Sequence, residues 1–220
     1  MTALAREIAS ELRKLPMANA SAIRGVRRHY SRRLKDEPGA DVKKLARALL
    51  LAEPAPGTRV AACELILHHP AALASIGARD LERMGAGMNS WGDVDVFGCL
   101  LAGHVWRARQ VPDSLIHQWA RRADRWWRRA ALVSTVPLNV KSQGGTGDAP
   151  RTLAVCRLLM DDRDDMVVKA LSWALRALAT RKPEAVARFL KEHNTRLAPR
   201  VVREVGNKLR TGLKNPKASD

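Results

Sequence analysis

Residues 165–180 read DMVVKALSWALRALAT. Val167, Leu171, Leu175 and Leu178 recur three or four residues apart, so they line one side of a helix. Lys169, Trp173, Arg176 and Thr180 fall on another face at the same kind of spacing. This period dominates the rest of the chain, and strand alternation is almost absent. It predicts helices over Thr2–Leu15, from a cap at Asn19 or Ser21 to about Lys35, and over Asp41–Leu51 and Thr58–His68. A shorter helix covers Arg79–Met84, and another runs from Trp91 to about Ala102. Next come Pro112–Arg122, with proline in its first turn, and Arg125–Val136, capped by Asp124 and ended by Pro137. Ala149–Met160, Asp165–Thr180, Pro183–Glu192 and Thr195–Leu209 follow. Pro54, Pro56 and Pro70 punctuate the first half, and Asn139–Pro150 is a glycine-rich loop.

Short helices on short connectors group into pairs of roughly 35–45 residues, the size of HEAT-type units. The expected fold class is all-α: a curved solenoid of antiparallel helix pairs (HEAT-like repeats) with a concave basic face. A globular helix bundle is the competing architecture. Residues 1–210 are expected to form one repeat domain, and residues 211–220 a basic, flexible tail.

Hydrophobic residues make up 46% of the 220, enough for a packed core. Lysine and arginine number 39 against 22 acidic residues, a formal net charge of +17. That excess points to a polyanion, nucleic acid first and an anionic membrane second, although a purely structural basic protein would carry it too. Cys63, Cys99 and Cys156 lie far apart in apolar patterns without zinc spacing, and read as buried thiols in a reducing compartment. Met1–Leu15 carries Arg6, Glu7, Glu11, Arg13 and Lys14, so it lacks a secretory apolar region, and no apolar run suits a membrane span. A cytoplasmic protein without membrane association is expected.

Three constellations carry chemistry. In Asn89–Asp95, Ser90 and Asp93 form a capping box, and Trp91 and Asp95 lie one turn apart on one face. That face continues through Gly98, Cys99 and Ala102, all small, which leaves room for something to dock. Asp95 is embedded among Val94, Val96, Phe97, Leu100 and Leu101. A functional carboxylate and a structural one, held by a local hydrogen bond or salt-bridged to an arginine of the next helix, are equally good readings of it. In Arg121–Arg129, five arginines surround Trp126 and Trp127. Trp126, Ala130 and Val133 make a core stripe, while Arg125 and Arg129 share a face suited to a phosphate diester. In residues 165–180, Lys169 and Arg176 flank Trp173, either to meet phosphate and stack, or to pack against a neighbouring repeat with Lys169 extended past the ring. The aspartates of residues 161–165 read as helix caps rather than metal ligands, and Gly144–Gly147 lacks the rest of a phosphate loop. The six histidines show no ligand spacing.

With these residues in view, the chain resembles the AlkD-like DNA alkylation repair proteins, HEAT-like-repeat DNA glycosylases. Ser90–Asp95 is similar to their Trp-Asp-x-Val-Asp signature, Trp126–Ala131 to their tryptophan-to-arginine helix start, and Lys169–Arg176 to their Lys-Ala-x-x-Trp-x-Leu-Arg helix. Arg59–Ala62 fits a weaker N-terminal pattern, and the whole spans about residues 57–180. The chain departs at Gly92, where the signature usually has a side chain, and lacks the usual glutamate before Arg59.

The resemblance implies hydrolytic removal of cationic N3- or N7-alkylated purines from double-stranded DNA by a monofunctional, cofactor-free, metal-free enzyme, expected to be a monomer. It makes Asp95 the catalytic carboxylate, Trp91 and Trp173 contacts to the deoxyribose of the lesion, and Arg129 a backbone clamp. Arg125, Arg128, Lys169 and Arg176 are the expected further contacts to the DNA backbone. The alternative function is a non-catalytic HEAT-like scaffold binding DNA or RNA, and a third is a protein–protein adaptor.

Overall fold

A computed structural model describes residues 2–52 and 55–216. Pro54 and the last four residues of the expected tail lie outside the described residues. The helices are α1 (Thr2–Arg13), α2 (Ala20–Arg33), α3 (Gly39–Leu51), α4 (Thr58–Leu67), α5 (Pro70–Ala74), α6 (Ala78–Gly85) and α7 (Trp91–Phe97). A π-helical turn (Gly98–Ala102) joins α7 to α8 (Gly103–Arg107). Then come α9 (Asp113–Ala120), α10 (Arg125–Val133), α11 (Val136–Asn139), a 3-10 turn (Lys141–Gln143), α12 (Ala149–Leu159), α13 (Asp165–Ala179), α14 (Pro183–Glu192) and α15 (Pro199–Thr211). No strand occurs among the described residues, and no helix there is long and apolar enough to cross a membrane.

Side-chain caps account for several helix starts. Asn19, Ser90, Asp124, Asp148 and Asp164 each accept from a backbone N–H of the following turn, satisfying donors the helix leaves open. Asp164 capping α13 accords with reading residues 161–165 as helix-start aspartates.

Several boundaries differ from the sequence expectation. A helical turn absent from it, α5, starts at Pro70 with His69 Nδ1 accepting from Ala72 N at 3.1 Å. Pro112 is the cap before α9 rather than part of its first turn. α10 ends at Val133, ahead of Pro137, where Ser134 Oγ donates back to the Ala130 carbonyl at 2.7 Å. The Trp91 helix does not stop at Ala102. Its π turn, in which Gly103 N–H donates five residues back to the Gly98 carbonyl, carries the chain on to Arg107.

The helices pack in order. α2 rests on α4, α4 on α7, α7 on α10, α10 on α13 and α13 on α15. α3, α9, α12 and α14 pack respectively on α4, α10, α13 and α15, the helices that follow them. Polar ties between successive units recur at similar sequence separations. Lys43–Asp80, Arg59–Asp93, Glu82–Arg122, Asp95–Arg129, Arg128–Asp162 and Asp165–Arg200 are separated by 34 to 40 residues.

The core between the units is apolar, with one aromatic knot. Phe97, Trp119 and Trp127 have ring centroids 5.0 to 6.0 Å apart, tying α7, α9 and α10 together. Glu82 of α6 accepts from Trp119 Nε1 at 2.6 Å and from Arg122, whose guanidinium lies 4.3 Å from the centre of the Trp127 ring. Trp127, not Trp126, is therefore the tryptophan of this knot. Trp126 is half-buried under the Arg125 guanidinium, at the helix start where the Ala130–Val133 stripe runs out to the surface. The three cysteines are buried free thiols.

Candidate active site

The site grows from the start of α7. Ser90 Oγ accepts from Asp93 N at 3.2 Å, and the Asp93 carboxylate receives Ser90 Oγ at 3.0 Å and Asn89 N at 3.4 Å. Asp93 Oδ1 also accepts from Arg59 Nε at 3.3 Å, a link to α4. Asp93 is thus committed to the helix start. Asp95, two residues on, points to the opposite flank of α7, because two helical residues rotate by about 200°.

There it meets Arg129 of α10. Arg129 donates from Nε to Asp95 Oδ1 and from Nη2 to Asp95 Oδ2, both at 2.9 Å. Its Nη1 donates to the Met166 carbonyl of α13 at 2.6 Å. One planar guanidinium therefore joins the three helices α7, α10 and α13. The Arg129 side chain is 6% exposed and that of Asp95 is 20% exposed. Burial pushes the Asp95 carboxyl above its usual range, and the Arg129 charge and hydrogen bonds pull the other way. Cys99, one turn on, is buried, and its thiol is pushed up to about 12, so it stays protonated beside the carboxylate.

Ties to the neighbouring helices show which side of each helix is left open. On α7, Asp93 reaches α4 and Asp95 reaches α10, while Val94 is fully buried behind them. Gly92 and Val96 fall between the two aspartates on the open side, in a groove of about 520 Å³ that they share with Arg59 and Val60. Trp91 is 62% exposed beside Asp95. On α13, Met166, Lys169 and Trp173 share a face. Lys169 is exposed and paired within its own helix to Asp165 at 2.7 Å, and Trp173 is half-buried against the core. Arg125 is exposed at the start of α10, 3.5 Å from Asp164.

Other expected site residues have different surroundings. Arg128 donates to Asp162 at 2.7 Å and to the Arg122 and Ala123 carbonyls, which fixes the α9–α10 corner. Arg176 is partly buried, donates to Ser172 Oγ at 3.2 Å and lies 3.9 Å from Glu204 of α15. Its desolvation pulls its pKa down. Both guanidiniums are held by protein partners, and so is Arg129, which faces Asp95 rather than standing open beside Arg125. The small residues beyond Asp95 serve packing, contrary to the docking space expected from sequence. A Cβ on Gly98 would stand 2.7 Å from Val133 Cγ1, and one on Gly103 would stand 2.6 Å from the Ser134 carbonyl oxygen. They let α10 and the segment after it approach closely enough for Arg129 to reach Asp95.

The sequence reading missed two partners of this frame. The Met166 carbonyl is a backbone group and leaves no mark in the sequence. Arg59, which the sequence marked only as part of a weaker N-terminal pattern without a role, also donates to the Met84 and Ala86 carbonyls and anchors the α6–α7 turn. Among the described residues no cluster suited to a metal ion occurs.

The sequence profile described as DNA alkylation repair enzyme matches residues 17–209, and the chain belongs to that family. DNA repair and a DNA substrate follow as its general role. No curated protein sequence matches the chain at a significant level.

Proposed function

We propose that the protein is a monofunctional DNA glycosylase that hydrolyses the N-glycosidic bond of cationic N3- or N7-alkylated purines in duplex DNA. The observation that carries this reading is the Asp95 carboxylate, fixed by Arg129 at the edge of the open side of α7 and next to an exposed indole, in a chain of the DNA alkylation repair family. An alkylated purine already bears positive charge, so its glycosidic electron pair departs with the base without prior protonation. Positive charge then builds on the deoxyribose. An oriented carboxylate stabilises that charge, and the electron-rich faces of Trp91 and Trp173 suit it as well. Water adds to the sugar carbon and gives up a proton, which in this reading Asp95 accepts; its raised pKa makes it a stronger base than an exposed aspartate. One carboxylate suffices, whereas ordinary glycoside hydrolysis uses a pair.

The scaffold in this reading is a HEAT-like solenoid occupying residues 1–210 and acting as a monomer. Its support is the ordered packing of α2, α4, α7, α10, α13 and α15, together with polar ties that each join residues 34 to 40 apart in sequence. Arg125 and Lys169 are the assigned backbone-contact residues that remain exposed.

The test is incubation with duplex DNA containing 7-methylguanine or 3-methyladenine, with free base measured by chromatography. Release from either supports the proposal. Release from neither, with DNA still bound, leaves a non-catalytic DNA-binding scaffold.

A further inference from the structure

With Arg128, Arg129 and Arg176 held by protein partners, the electrostatic grip on DNA must come from cations elsewhere. α2 supplies a candidate. Its 14 residues hold five arginines and no acid, with Asp36 and Glu37 beyond its C-terminus. Arg27 and Arg24 donate to the buried Glu64 of α4 at 3.0 and 2.9 Å, and Arg33 pairs with Glu7 of α1. These ties, with Tyr30 and Ile23 buried, mark the sides of α2 that face its neighbours. Arg28 and Arg32, four residues apart, lie along the sector left open, on the side nearer α4. Arg28 and Arg32 are exposed, and among the described residues no carboxylate pairs with either. The helix dipole favours cations in the last turn and so accounts for Arg32, but not for Arg28 in mid-helix.

Glu64 stands one turn beyond Val60, which lines the groove beside Gly92 and Val96 of α7. The stripe therefore borders the open side of α4 and α7. We propose that Arg28 and Arg32 bind DNA phosphates flanking the lesion, extending the footprint past α7 and α4 onto α2. This rests on the duplex-DNA reading above. Two helix spacings separate α2 from α7, about 16–20 Å. At about 3.4 Å per base pair, the contacted phosphates lie roughly five or six base pairs from the lesion, on one side of it.

The experiment measures duplex affinity against sodium chloride concentration for the wild type and for Arg28→Ala/Arg32→Ala. Loss of two phosphate contacts lowers the slope of log affinity against log salt by about 1.8. Salt then weakens binding about 12-fold less between 50 and 200 mM in the double variant than in the wild type. Arg28→Lys/Arg32→Lys keeps the wild-type slope. Arg188→Ala/Lys191→Ala, which removes the same charge from α14, also keeps it. Duplexes shortened to three base pairs on one side of 7-methylguanine reproduce the loss with the wild type and add nothing to it in the double variant. An unchanged slope in a double variant with an unaltered circular dichroism spectrum overturns the proposal, as does an equal fall in the α14 control. Base release by the wild type, measured in parallel, reports separately on the glycosylase reading.

Discussion

Arg129 and Asp95 form a two-point contact across the junction of α7 and α10, with both carboxylate oxygens engaged at 2.9 Å. The same guanidinium holds the start of α13, so the position of Asp95 is set by three helices at once. A local hydrogen bond or a salt bridge to an arginine of the next helix was the structural reading of Asp95; a salt bridge is present, but to Arg129, one helix further along the chain than expected. It does not compete with a catalytic role, since a carboxylate must be held still to act on charge that develops only in the transition state.

Asp95→Asn removes the negative charge and keeps the shape. Release of 7-methylguanine is expected to fall by about 100-fold or more, with DNA affinity nearly unchanged. Single-turnover release near the wild-type rate would assign the chemistry to another group.

Arg129 now carries a different expectation from that of an exposed phosphate clamp. Arg129→Met leaves a partly buried carboxylate unpaired and is expected to cost about 3 kcal/mol of stability in urea unfolding. It should also move the pH dependence of excision. The ionised carboxylate is the active form, and burial already holds its pKa above the ordinary value. Without the opposing arginine the pKa rises further, so the acid limb of the rate profile shifts to higher pH in Arg129→Met. Arg129→Lys, which keeps the charge, shifts it less. An acid limb that does not move argues against Asp95 as its source.

Arg125→Ala and Lys169→Ala should each lower the salt slope of DNA binding by about 1. Arg128→Ala and Arg176→Ala should leave the slope unchanged, because their guanidiniums are largely buried as well as bound to protein acceptors, unlike the exposed Arg125 and Lys169 beside their aspartates, and should lower the melting temperature instead. Equal slopes for all four variants would show that the protein partners of Arg128 and Arg176 exchange for phosphate.

Gly98→Ala tests the approach of α7 to α10 directly. Its new methyl group would stand 2.7 Å from Val133 Cγ1 and 3.2 Å from Ser134 N. Overpacking of this kind costs about 1–3 kcal/mol, and the displaced helix carries Asp95 away from Arg129. Both stability and excision are expected to drop. Gly92→Ala, with nothing nearer than Ser90 Oγ at 3.8 Å, should leave stability within about 0.5 kcal/mol of wild type.

Trp91→Ala separates an aromatic contact from a core residue. An indole 62% exposed contributes little to folding, so the variant should melt within a few degrees of wild type while losing excision activity. A large fall in melting temperature would reveal a packing role.

The sequence alone determined that the chain is helical and where several helices begin, because helical periodicity and capping act between residues a few positions apart. Pro183–Glu192 and the caps at Ser90, Asp124 and Asp164 needed nothing beyond local hydrogen bonding and the positions of apolar side chains. The distinction between Asp93 and Asp95 was legible for the same reason: one closes the capping box and the other lies on a different face. Only the tertiary structure decided which arginines remain open to a ligand. Arg125, Arg128 and Arg129 are near neighbours in sequence, yet one is exposed, one closes a corner through Asp162, and one is buried against Asp95. Their partners lie some 34 to 39 residues away, at distances set by how whole helices pack. The same holds for Gly98, whose missing side chain is neither docking space nor flexibility but the clearance that brings Arg129 within reach of the carboxylate.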